Sequence, residues 1–140
     1  MKTVHHVVEI AVPRDKVYGA LADPGGLAAW WTTGVTTDPR AADTIDFAFE
    51  AEFHPRMRAE LTPPDAVRWQ CVDGAPDWAG DRFDFELTPI DTGTRLRFWQ
   101  HYSRDLSDDA YGTYNFNWGY YLDSLRQLCE SGTGKPFQPR

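Results

Sequence analysis

Five stretches of this chain alternate apolar and polar residues with a period of two, and nearly all lie between residues 45 and 98. Ile45, Phe47 and Phe49 alternate with Asp46, Ala48 and Glu50; Met57, Ala59 and Leu61 with Arg56, Arg58 and Glu60; Val67, Trp69 and Cys71 with Arg68 and Gln70. "RFDFELTP" sets Phe83, Phe85 and Leu87 against Asp84 and Glu86, and "TRLRF" sets Leu96 and Phe98 against Arg95 and Arg97. A strand turns successive side chains to opposite faces, so each run predicts a strand with one dry face and one wet one. "TPPD", "DGAPDWAGD" and "PIDTG" supply the turn chemistry between runs. Five strands with short links predict an antiparallel meander.

The flanks complete the architecture. "TVHHVVEIAV" holds Val4, His6, Val8, Ile10 and Val12 in one phase and reads as a first strand. Pro13 is suited to the first helical position; Val17, Ala20 and Leu21 then form a helical stripe that "DPGG" stops, and "GLAAWW" gives a second short helix. "TTGVTTDPRAAD" reads as a polar loop. Near the end, Ser107 with Asp108 and Asp109 predicts a helix start and Gly132 its stop. Between them Tyr111, Tyr114, Trp118, Tyr121, Leu122, Leu125, Leu128 and Cys129 share one stripe. Gly112 and Gly119 each cost roughly 1 kcal/mol in a helix interior, so close approach by another element or a ligand is expected there, unless Gly112 instead marks the true helix start. The order strand, two short helices, five strands and long helix predicts a single α+β domain over 1–140 whose sheet curls around the last helix.

Composition excludes several functions. A formal charge of −7 without a basic block opposes nucleic acid and anionic membrane surfaces. The N-terminus lacks a signal-peptide pattern and no stretch is long enough to insert in a membrane, so a cytoplasmic protein is expected. Cys71 and Cys129 sit in apolar patterns and read as small buried hydrophobes. Neighbouring His5 and His6 point to opposite faces of a strand, and His54 and His101 have no ligand spacing, so no metal is expected. No nucleophile elbow or phosphate cradle is present, and no cofactor is expected. Asp77, Asp81 and Asp84 around Trp78 could do acid–base work if a pair were buried, but the favoured reading is a solvated loop leading into a strand whose Asp84 faces water.

"VYGALADPGGLAAWWT", "AVRWQCVDGAPDWAGDRFDFELTPIDTGTRLRF" and "FNWGYYLDSLRQLCESGTGKPF", in that order, resemble the START-like (SRPBCC) superfamily. The branch they are similar to is named for the activator of heat-shock-protein-90 ATPase. The resemblance implies a helix-grip (START/Bet v-like) fold, a curved antiparallel β-sheet and a long C-terminal helix enclosing an apolar cavity, but no reaction. In many relatives the last strand carries an inward histidine. Here Gln100 is in phase with Leu96 and Phe98, and His101 falls one step later, so either a β-bulge restores the phase or an amide takes that place. The chain leaves no room for the separate N-terminal domain of the eponymous co-chaperone, which argues against direct ATPase activation.

On this reading a small hydrophobic or amphipathic ligand is lined by Trp69, Phe85, Trp118, Tyr121, Leu122 and Leu125. Trp30 and Trp31 form part of the mouth, and Gln100 and His101 orient any polar group. Close packing of these same rings is the competing reading. Two further alternatives stay open. One is a cofactor-free cyclisation or dehydration with His101 as base. The other is a co-chaperone-like interaction module. Phe116 and Tyr120, four apart and opposite Trp118, would make a homodimer or partner surface if exposed.

Overall fold

The computed structural model describes residues 2–139. Strand β1 (Thr3–Ile10) leads to α1 (Arg14–Ala22) and α2 (Pro24–Trp30). Six strands follow: β2 (Gly34–Asp38), β3 (Ala41–Ala48), β4 (Arg56–Thr62), β5 (Ala66–Asp73), β6 (Arg82–Ile90) and β7 (Gly93–His101). A 3-10 turn, Pro76–Trp78, lies between β5 and β6, and α3 (Asp108–Ser131) ends the regular structure. All neighbouring strands are antiparallel, in the order β1-β7-β6-β5-β4-β3-β2.

Three boundaries differ from the sequence reading. The polar loop "TTGVTTDPRAAD" contains β2, an edge strand paired with β3, because backbone pairing there needs no apolar period. "DPGG" does not simply stop a helix: Pro24, Gly25 and Gly26 form the first turn of α2, with Pro13 standing outside α1 as its N-cap. Gly26 allows α1 and α2 to touch, since a Cβ there would lie 2.7 Å from Ala20 Cα.

The dry face follows the two-residue period. Phe85 pairs with Phe98 and with Val67 in register, and Phe83 pairs with Trp69 and Gln100. All six are buried. Helix α3 is capped as its sequence predicts: the Ser107 hydroxyl accepts from the Ala110 amide, and Gly132 takes the left-handed conformation. Trp118, Leu122 and Leu125 are its buried apolar residues, and Trp118 lies over β7 with its ring 4.3 Å from Phe98. This is the helix-grip arrangement. Gly119 meets only the tip of His6, 3.6 Å from a Cβ built there, and nothing lies within 4 Å at Gly112, so close approach does not explain Gly112.

The segment after α3 folds back as a strap. Phe137 bridges Thr32, its amide donating to Trp31 O and its carbonyl accepting from the Thr33 amide, both at 2.9 Å. Buried Ser124 staples three segments, donating to Trp30 O at 2.8 Å and accepting from the Lys135 amide at 2.6 Å.

Candidate functional site

Most of the space between sheet and helix is filled by the chain itself. Trp30, Trp69, Phe85, Leu122 and Leu125 are buried in the closed core rather than along an open cavity. The Trp30 indole N–H is used internally, donating to Ala20 O at 2.8 Å. Alternation along a strand tells which side chains point inward; it does not tell whether inward space is filled.

One end of the grip stays open. A pocket of about 430 Å³ lies over the first half of α3. The helix contributes Thr113, Tyr114, Asn117, Trp118 and Tyr121; Trp31 enters from the end of α2. The β3–β4 connection brings Phe49, Glu50 and Phe53, the 3-10 turn brings Trp78, and the strap brings Phe137. Glu50, Thr113 and Asn117 are exposed and form the opening. Of the residues expected to form the site, Trp31, Trp118 and Tyr121 therefore line this pocket. Phe53, Tyr114, Trp78 and Phe137 come from segments whose convergence no local pattern records, although Tyr114 already stood on the helical stripe.

The rings form a continuous wall. Trp31 stacks on Trp118 at 5.3 Å and on Trp69 behind it at 5.2 Å, and meets Phe49 edge-on at 5.0 Å. Phe53 stands against Trp78 at 4.8 Å, and Trp78 against Tyr114 at 5.4 Å. Offset and edge-on contacts of this kind add to the stabilisation from burial alone. A second hollow of about 810 Å³ shares Phe49, Glu50 and Phe137 and adds His54 and Gln138.

A buried polar chain holds this wall to the sheet. Trp118 Nε1 donates to Gln100 Oε1 at 2.7 Å, and Gln100 Nε2 donates to Asp81 Oδ2 at 3.0 Å. The other Asp81 oxygen accepts from the Ser103 amide at 2.7 Å. Asp81 is thus no solvated loop residue: it is fully buried. Burial raises its carboxyl above the usual range, against the lowering effect of the Ser103 and Gln100 hydrogen bonds. The folded chain holds this proton more tightly than the unfolded one. Its contribution to stability is greatest in acid and falls as pH rises through the folded value.

The strand phase at β7 is unbroken, with Gln100 paired to Val4 and Phe83 and His101 to Thr3 and Arg82. Gln100 therefore serves Trp118 and Asp81 rather than the pocket. His101 points to the outer face, where its Nε2 lies 3.3 Å from Asp84 Oδ2, so it does not join Gln100 beside a ligand. Asp84 is on the outer face as the period predicts, yet it is nearly buried under Arg68 and Arg82, whose Nε atoms donate at 2.7 and 3.0 Å. Burial pushes its carboxyl up, but the two guanidiniums outweigh that and hold it below the usual range.

Tyr114 donates its hydroxyl to Asp77 Oδ2 at 3.0 Å. Burial, then Asp77, pushes this phenol up to about 12, so it stays protonated at neutral pH. Cys71 is buried and Cys129 half-buried, both as free thiols. Among the described residues no group of His, Cys, Asp and Glu could hold a metal ion, and no helix is long and apolar enough to cross a membrane.

Residues 11–130 match the family model described as Activator of Hsp90 ATPase homolog 1-like protein. The chain belongs to this family. The Aha1 dimer from Colwellia psychrerythraea, solved in solution, is 28% identical, covers 96% of this chain and 100% of its own, and superposes with a TM-score of 0.82. Protein MLL2253 from Mesorhizobium loti is 24% identical over 91% of this chain and 96% of its own, with a TM-score of 0.75. Protein CV1439 from Chromobacterium violaceum is 24% identical over 93% and 99%, with a TM-score of 0.68. The last two likenesses concern the AHSA1-like fold alone. No curated protein sequence matches the chain.

Proposed function

We propose that this AHSA1-like domain binds a small hydrophobic or amphipathic molecule in the pocket over the first half of α3. The observation that carries the reading is an open space of about 430 Å³ walled mostly by rings, beside a core in which Trp30, Trp69, Phe85, Leu122 and Leu125 are buried. That volume lies within the range of about 300–1,000 Å³ usual for small-molecule sites, which are mostly apolar with a few polar groups. Thr113 is exposed and lines the opening, so Thr113→Trp would occupy the space without disturbing the core. The neutral fluorophore N-phenyl-1-naphthylamine is expected to bind the native domain one to one. Thr113→Trp should weaken it by about tenfold or more, equivalent to roughly 1.4 kcal/mol, with an unchanged denaturation curve. Equal binding by both proteins would place the fluorophore elsewhere and remove this reading.

His101 faces away from the pocket, so the cyclase or dehydratase alternative loses the base that the sequence offered. A second reading concerns assembly. Phe116 is 74% exposed and Tyr120 is 48% exposed, one turn apart on α3, and the Colwellia relative is a dimer. On this reading two copies meet through that face, where rings supply most contact energy once water is excluded. Sedimentation should then give a dimer for the native chain and a monomer for Phe116→Ser. A native chain that sediments as a monomer throughout the micromolar range would remove the dimer.

A further inference from the structure

The chemistry of the pocket wall narrows the class of ligand, taking the ligand-binding reading above as its basis. Eight of the eleven lining residues are aromatic, and none is Lys, Arg or His. Aromatic faces carry negative potential and attract cations, most strongly where water is excluded. Glu50 stands at the opening, and its carboxylate has no ion-pair partner among the described residues. Tyr114 has committed its proton to Asp77, so its oxygen can only accept from a ligand. Glu50 and Tyr114 are thus acceptors without a countercharge, while Thr113, Asn117 and Tyr121 are neutral groups that can donate or accept.

We propose that the pocket selects an organic cation, an amphipathic amine or quaternary ammonium compound whose apolar body lies among Trp31, Phe53, Trp78 and Trp118 and whose charge sits near Glu50. A carboxylate or phosphate of the same shape would meet the Glu50 carboxylate with no Lys, Arg or His in the wall to receive it. The net charge of −7 adds a long-range field of the same preference.

The test compares three probes with one ten-carbon tail, each below its micellar concentration: decyltrimethylammonium, decanol and decanoate. Titration calorimetry on the native chain should rank them in that order, with the ammonium about tenfold or more tighter than the carboxylate. Glu50→Gln, at an exposed position, should weaken the ammonium about three- to tenfold and leave decanol unchanged. Thr113→Trp should abolish saturable binding of all three. Decanoate binding as tightly as the ammonium would overturn the cation preference and leave the pocket standing. Ammonium binding that survives Thr113→Trp would place it on the acidic surface and overturn the proposal. Failure of all three probes to saturate would remove the proposal together with the reading beneath it.

Discussion

Trp118→Ala is expected to destabilise the domain by about 4–6 kcal/mol, more than any other single truncation in the pocket wall. Removing a fully packed Trp costs roughly 3–5 kcal/mol through lost burial and the cavity left behind. Here the indole also satisfies Gln100 Oε1, and orphaning a buried acceptor adds about 1–3 kcal/mol. The two costs overlap as the site relaxes, so their sum is an upper bound. Against a total stability of about 5–15 kcal/mol for a domain of this kind, the variant would be near or past its folding limit. Trp118→Phe narrows the comparison, since it keeps a ring over Phe98 while removing the donor and part of the indole's volume. It should cost about 1–3 kcal/mol. Asp81→Asn would probe the far end of the same chain, because it replaces one of the two oxygens that now accept from Gln100 and Ser103 with an NH2 that faces a donor. Urea denaturation with an unchanged slope is the measurement. A Trp118→Ala loss below about 2 kcal/mol would show that the ring is not held as described.

Gly74→Ala is the second large effect, and it acts from outside the pocket. Gly74 follows β5 with φ at +84°, a conformation that costs an L-residue roughly 1–2 kcal/mol. A Cβ there would also fall 1.8 Å from His54 O, while the His54 amide donates to Gly74 O at 2.8 Å. The β3–β4 connection would have to move, and it carries Phe49, Glu50 and Phe53 into the pocket. Relief of such a clash costs a further 1–3 kcal/mol or so, giving a loss of about 2–5 kcal/mol together with weaker binding of the neutral fluorophore. Gly112→Ala is the matched contrast: no atom lies within 4 Å of its added Cβ, and helix propensity should yield a gain of about 0.5–1 kcal/mol. Similar losses at both positions would contradict the packing around Gly74.

Periodicity carried the fold well because each element announces its buried face through local spacing. The phases of β5, β6 and β7, the Ser107 cap and the Gly132 stop all follow from neighbours within one or two turns. β2 escaped notice because "GVTTD" on a sheet edge buries little and leaves no apolar rhythm. The pocket was harder for a different reason. Trp69 and Trp31 look alike in sequence, but only Trp31 faces space left vacant by other segments. Phe53 and Phe137 complete that space from positions 84 residues apart (137 minus 53), and such a distance has no local signature. Gln100 was correctly phased inward. Its partner Asp81 lies in a stretch whose composition alone resembles a surface turn.

The pairing of β1 with β7 constrains how the molecule can be made. Thr3 sits opposite His101 and Ile10 opposite Thr94, while β7 on its other side already has β6. During synthesis the first strand must therefore wait, with its backbone donors and acceptors unmatched, until most of the chain has emerged. Closing so long a loop is entropically expensive and favours slow folding. For that interval the hairpins of the meander can form while the strand that completes the grip remains available to wrong partners. Vulnerability to aggregation should accordingly peak late in translation, just before β7 emerges and the first strand can dock.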